Sequence, residues 1–334
     1  MRLPLKYILS VSLLLLSSLV SAQKNDAIIQ TGQVQEALAR GAILWDVRDE
    51  KRYLEGHIPG AINIGDAGNV LRDANKEDYI STAKIQSIFN AAGLDVNKDI
   101  VVYGSRGNPY AYFGLYTIQY FGGKQAQIYH DGIDAWKSAG LPLQKERPSL
   151  PAVSVTLVPQ PQLLVTNEEM LKLVQSKSVQ IIDARTPDEF SGKDVRAIRG
   201  GHIPNAINIP YEENWQDPAT SIKLGKKQVS DNSGMTLKSQ TDLKKLYSSL
   251  DPNQETVVYC QSGVRAAETA TVLKNLGFKK VKVYDSSWLG WGNNLKAQVS
   301  DESFLNVGAL NAKISAMQNK INQLEEALKA KGNN

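Results

Sequence analysis

Gly56-His57-Ile58-Pro59-Gly60-Ala61-Ile62-Asn63-Ile64 returns later in the chain as Gly201-His202-Ile203-Pro204-Asn205-Ala206-Ile207-Asn208-Ile209. Upstream, Ile43-Leu44-Trp45-Asp46-Val47-Arg48 is answered by Ile181-Ile182-Asp183-Ala184-Arg185. Downstream, Val101-Val102-Tyr103-Gly104 is answered by Val257-Val258-Tyr259-Cys260, and Tyr129 with Trp136 by Tyr284 with Trp291 at the same separation. Matches in one order mean a duplicated domain. Each copy alternates short β-branched runs with helix-length amphipathic segments, such as a helix from about Pro109 to Phe121 after the strand Val101-Val102-Tyr103. That order predicts an α/β fold, each half a mainly parallel sheet with helices on both faces. The ligand crevice of such a sheet lies beyond the carboxyl ends of its strands, where the Gly104 and Cys260 loops would be.

Around the repeat, the chain divides into expected parts. Residues 1–22 read as a secretory signal peptide: Arg2 and Lys6 precede an apolar stretch from Tyr7 to Val20 that is short for a membrane span, and Val20-Ser21-Ala22 suits a cleavage site before Gln23. The protein is therefore expected to be exported, periplasmic or secreted. The domains are read as 27–145 and 163–300, joined by a proline-rich, stiff linker over 146–162. A polar insertion, roughly Glu212 to Met235, reads as a surface loop. Residues 304–332 form an amphipathic helix in which Val307, Leu310, Ile314, Met317, Ile321, Leu324 and Leu328 alternate spacings of three and four. That is the a/d pattern of a two-stranded coiled coil, with Lys320 and Glu325 at g and e, and it suits a homodimer. The alternative is a single helix lying on its own domain. The net charge of +4 comes from interspersed basic and acidic residues, not a basic face, so nucleic acid is not an expected partner.

Cys260 is the sole cysteine among 334 residues, so no internal disulfide is available to it. It sits where an apolar strand runs through Gln261-Ser262-Gly263-Val264-Arg265 into a helix. Unpaired amides at a helix N-terminus favour a thiolate and can bring a thiol from about 8.5 into the range of roughly 3.5–7.5. A loop whose successive amides curl around the sulfur makes an anion-binding nest, and Gly263 permits the backbone that requires. Such a cradle needs no metal or cofactor. The competing reading is a buried cysteine acting as a small hydrophobe.

On these residues, with Asp183-Ala184-Arg185, Gly201-His202-Ile203-Pro204 and Tyr284-Asp285-Ser286-Ser287-Trp288, the chain resembles the rhodanese superfamily in its tandem two-domain sulfurtransferase form. The resemblance covers roughly residues 27 to 300 and implies two tandem rhodanese-like domains. It also implies a two-step displacement. A small anionic sulfur donor, thiosulfate or 3-mercaptopyruvate, leaves a persulfide on Cys260, and a thiophilic acceptor, cyanide or a thiol, removes it. Arg185 matches an arginine that binds the donor's anionic end, and Arg196, or Arg199 one register away, a second. Arg265, where relatives of the vertebrate type carry threonine, adds an anion-binding fork. Trp288 is placed at the donor pocket, or else in the core. Ser262 matches a serine proposed to relay a proton with a histidine and an aspartate of the first domain. His57 would be that histidine, with Asp46 or Asp49, but His202 holds the equivalent place in the other copy, which favours a loop-fixing role.

The first copy reads Gly104-Ser105-Arg106-Gly107-Asn108-Pro109, with glycine in place of the nucleophile, so that domain is expected to be inert. Tyr112, Tyr116 and Tyr120 on its helix are expected to pack in a core or against a neighbour. Two other functions remain. One is a non-catalytic sulfane-sulfur carrier or redox-sensing binding protein. The other, phosphatase or arsenate chemistry, stands well behind because related enzymes of that kind use a loop one residue longer.

Overall fold

β-branched runs bury themselves as two parallel sheets, one in each half of the chain. The computed structural model describes residues 27–73, 78–148 and 150–332, so the expected signal peptide over 1–22 lies outside the described residues. In the first half β1 (Ile28–Ile29), β2 (Ile43–Asp46), β3 (Ile100–Tyr103) and β4 (Ala126–Tyr129) lie in the order β1-β4-β3-β2, all parallel. The second half has β5 (Leu164–Val165), β6 (Gln180–Asp183), β7 (Arg199–His202), β8 (Ala206–Asn208), β9 (Thr256–Tyr259), β10 (Val281–Tyr284) and β11 (Ser300–Phe304). Its main sheet runs β5-β10-β9-β6-β8, again parallel, while β7 pairs antiparallel with β11. The strand order of the first sheet thus reappears in the second with one strand added.

The central strands β3 and β9 are buried at every position, and each ends in a tyrosine whose hydroxyl accepts an amide from the Gly-His-Ile-Pro segment. Ile58 N–H reaches the Tyr103 hydroxyl at 3.1 Å and Ile203 N–H reaches the Tyr259 hydroxyl at 3.1 Å. The motif that disclosed the repeat is therefore a clamp on the carboxyl end of the central strand.

Helix Pro109–Tyr120 leaves the first domain's loop, helix Val264–Asn275 leaves the Cys260 loop, and the two pack on each other. One hydrophobic core runs across this contact and includes Val102, Phe113, Val258, Ala270 and Cys260. Tyr112 and Tyr116 are buried there, and the Tyr116 hydroxyl donates to the Leu163 carbonyl at 2.8 Å. The segment linking the halves is not a free spacer. Val155 and Leu157 are buried, and their amides bond Asn90 and Gln86 on helix Thr82–Ala92.

The insertion is more than a surface loop, and that expectation is corrected. Trp215 is fully buried with its Nε1 donating to Glu268 at 3.0 Å, and the later part reaches across to the first domain. There His130 Nε2 lies 2.9 Å from the Met235 carbonyl, Thr236 donates to Asp131, and Asn232 donates to Asp134. Apolar surface and polar partners both come from the other half, which no local pattern announces.

Helix Val307–Gly332 stands clear of both domains. Its seven a/d side chains are 42 to 69% exposed, so the alternative of a helix lying on its own domain is excluded. Among the described residues no helix is long and apolar enough to cross a membrane.

Candidate active site

β9 delivers Cys260 into a tight turn, and the next turn of chain starts helix Val264–Asn275. The turn is closed from below by Ser287. Its Oγ accepts the Cys260 amide at 3.1 Å and the Gly263 amide at 3.0 Å, and donates to the Tyr284 carbonyl at 2.7 Å. The Trp288 and Leu289 amides hold the Cys260 and Gln261 carbonyls. Gly263 has a φ of +82°, and a Cβ there would lie 2.5 Å from Asp285 Oδ1, so the position requires glycine. Ser287 was not among the expected site residues. It adopts a φ of +48° that serine seldom does, a feature invisible in the sequence. Because the Gly263 amide is turned to Ser287, the expectation that it faces the sulfur is corrected.

Cys260 is 0% exposed. The thiol is packed in the core shared by the two halves, the environment that the competing reading of a buried cysteine expects. Beside it, Arg265 makes a two-pronged ion pair with Glu189, Nη1 to Oε2 at 2.7 Å and Nη2 to Oε1 at 2.8 Å. Arg196 joins at 3.1 Å, and the Gln261 amide nitrogen donates to the Arg196 carbonyl at 2.8 Å. Burial opposes the charge on Arg265, but the Glu189 hydrogen bonds and the neighbouring Cys260 and Glu189 charges outweigh it and raise its pKa. Burial would likewise raise Glu189, yet Arg265, the Thr186 amide and Arg196 together hold it at about 2. Glu212 differs. Burial pushes its carboxyl up to about 7, its own backbone amide and Arg265 oppose this, Glu189 and Glu213 add to it, and its Oε2 is buried without a hydrogen-bond partner among the described residues. The Tyr211 ring lies 6.0 Å from the Arg265 guanidinium, and burial raises its hydroxyl's pKa. Ser262 is half-buried on the loop.

Two expected donor-binding residues are framework instead. Arg185 is 1% exposed; it is paired with Asp183 at 2.6 Å, donates to the Gly201 carbonyl at 2.7 Å and lies 4.4 Å from the Trp288 ring. Arg48 makes the same bonds to Asp46 and the Gly56 carbonyl in the half that has no nucleophile. A bond set present in both halves serves the fold, so Arg185 is corrected from donor ligand to buried clamp. Trp288 is fully buried between Arg185 and the Arg199 carbonyl, to which its Nε1 donates at 2.9 Å, so its placement at the donor pocket is corrected to core. Arg199 is also buried, bonded to the Gly292, Trp291, Asn294 and Ala297 carbonyls and to Glu302. The arginine beside the loop is Arg196.

His57 is buried, stacked 3.8 Å from Tyr53, with Nδ1 3.0 Å from the Tyr53 carbonyl. His202 stacks 3.6 Å from Phe190 with the same carbonyl contact. Both histidines fix their loops. Asp46 is committed to Arg48, and Asp49 caps a helix by accepting from the Arg52 amide. In the first domain Arg106 bonds Asp131 at 2.7 Å, and the Met235 sulfur lies 2.6 Å from where a Gly107 Cβ would be. The insertion therefore plugs the loop that lacks a cysteine.

The rhodanese-like domain model matches this chain twice, over residues 30–139 and 166–294. The thiosulfate sulfurtransferase of Corynebacterium glutamicum is 35% identical over 263 residues, covering 75% of this chain and 82% of that protein. A putative thiosulfate sulfurtransferase of Mycobacterium bovis is 31% identical over 263 residues, 75% of this chain and 88% of that one. Among solved structures, the anaerobic ergothioneine biosynthesis enzyme of Chlorobium limicola with trimethyl histidine superposes with a TM-score of 0.68 at 19% identity, over 82% of this chain and 70% of that chain, a likeness of fold. With both halves matched and the cysteine-bearing loop in the second, this chain belongs to the rhodanese-like domain family as a tandem two-domain sulfurtransferase.

Proposed function

We propose that the protein moves a sulfane sulfur from thiosulfate, or from 3-mercaptopyruvate, through a persulfide on Cys260 to cyanide or a thiol. The observation that carries this reading is the position of Cys260. It is the only cysteine, and it occupies the turn between the central strand and a helix, where the first half repeats the architecture with glycine. The Cys260 thiolate attacks the outer sulfur of thiosulfate, the new S–S bond forms as the donor's S–S bond breaks, and sulfite departs with the electron pair. Arg265 neighbours the sulfur and shares Glu189 with Arg196, so the three groups together carry one net positive charge, and helix Val264–Asn275 begins at the same loop. Ser262 and Gln261 line the loop. Because Cys260 is 0% exposed, donor entry requires the residues packed on it to open locally.

The names of the relatives support thiosulfate as donor. The apolar stretch before Gln23 supports an exported enzyme, and the uncovered a/d stripe of helix Val307–Gly332, with Lys320 and Glu325 at g and e, supports a parallel homodimer. The test is thiocyanate formation from thiosulfate and cyanide. Wild-type protein is expected to turn over and Cys260→Ser to show none; activity in that variant would remove Cys260 from the role.

A further inference from the structure

Among the described residues, Glu189 is the one carboxylate on which both site arginines converge. Its Oε1 accepts Arg265 Nη2 and Arg196 Nη1, and its Oε2 accepts Arg265 Nη1 together with the Thr186 amide and hydroxyl. At 1% exposed and fastened by Thr186, it cannot turn away. Arg265 therefore meets a donor as half of a neutral pair. The side chain of Arg196 is 50% exposed and supplies the remaining positive charge that faces solvent.

We propose that Glu189 is a specificity-determining residue, which lowers the advantage a dianionic donor such as thiosulfate has over a donor bearing one negative charge, so that the site accepts both. The inference rests on the sulfur-transfer reading of Cys260 and adds the class of donor. Glu189 touches no reacting atom; it acts through Arg265 and Arg196 by fixing how much positive charge they show. The same charge balance favours expulsion of a dianionic leaving group such as sulfite once the persulfide has formed.

Thiosulfate and methanethiosulfonate isolate the effect of charge. In both, thiolate attack on the outer sulfur forms one S–S bond and breaks another; sulfite leaves from the first and methanesulfinate from the second, with no oxidant or proton required. The donors differ by one unit of charge. Removing a unit charge several ångströms from the donor should shift their relative kcat/KM about tenfold. Glu189→Gln is expected to raise the thiosulfate-to-methanethiosulfonate ratio by about that factor, mainly through KM. In Glu189→Gln/Arg265→Gln, where a neutral pair is removed as a unit, the ratio should stay within about threefold of wild type.

A ratio that is unchanged or lower in Glu189→Gln, or one that drops about tenfold in the double variant, overturns the proposal, because Arg265 would then be anchoring the dianion itself. If neither variant folds, inhibition of the wild type decides. Sulfate should bind with an affinity close to that of methanesulfonate, and sulfate binding about tenfold tighter would contradict the proposal. Failure of wild-type Cys260 to acquire sulfur from either donor is a different result, and sinks the sulfur-transfer reading itself.

Discussion

Ser287 holds the shape of the cysteine loop with a single oxygen. That oxygen accepts two buried amides, Cys260 and Gly263, from a backbone conformation serine seldom takes. Ser287→Ala leaves both amides unpaired, and the loss is expected at roughly 1–3 kcal/mol, read as a lower urea midpoint at unchanged slope; a wild-type midpoint would show that the loop does not depend on it. The two carboxyls beside Arg265 give opposite pH dependences. Glu189 lies below its ordinary value, at about 2. Its contribution is present above the unfolded value of about 4.5 and is lost as pH falls toward about 2, on the order of 3 kcal/mol in all. Glu212 lies above its ordinary value, at about 7, so the folded state binds its proton more tightly and stability declines as pH rises between the two values. Urea midpoints at about pH 5 and about pH 8 should fall less between those pH values in Glu212→Gln than in wild type. Equal declines would place the titration elsewhere.

The Asp-x-Arg segments after β2 and β6 are the same device used twice. Removing one partner from a buried ion pair costs about 3–5 kcal/mol, so Arg48→Ala and Arg185→Ala should lower thermal stability by similar amounts, although only one of them lies in the half that carries the cysteine. A large loss of stability from Arg185 alone would contradict the equivalence. The strands, the Gly-His-Ile-Pro repeat and the Cys260 turn are legible because each is a local pattern of strand, turn and helix start, and because the chain states it twice; that the repeat clamps the central strand is not. The partnerships of Glu189 and Ser287 are not legible either. Thr186-x-x-Glu189 is readable as a helix-capping box, but its convergence on Arg196 and Arg265 depends on how β6, β9 and the following loops are brought together. For the same reason Arg185 was misread: an arginine two residues after an aspartate gives no sign in sequence of whether its fork turns inward or outward. The role of the insertion was hidden too, since Met235 gains its meaning only from Gly107 in the other half.

In the whole molecule, two domains share one core, the first blocked at its own loop by Met235 and the second carrying the thiol, while the terminal helix extends beyond both. Deleting 307–332 removes the exposed apolar stripe without disturbing either sheet, so light scattering should find a dimer for the full chain and a monomer for the truncated one, with thiocyanate formation retained; equal masses would leave the helix without that role. The central claim concerns one sulfur atom and can be weighed directly. Intact-mass spectrometry after incubation with thiosulfate should show wild-type protein heavier by one sulfur, the increment mapping to Cys260 and disappearing on addition of cyanide. A wild-type mass unchanged by the donor, or a cyanide-labile sulfur that persists in Cys260→Ser, would contradict it.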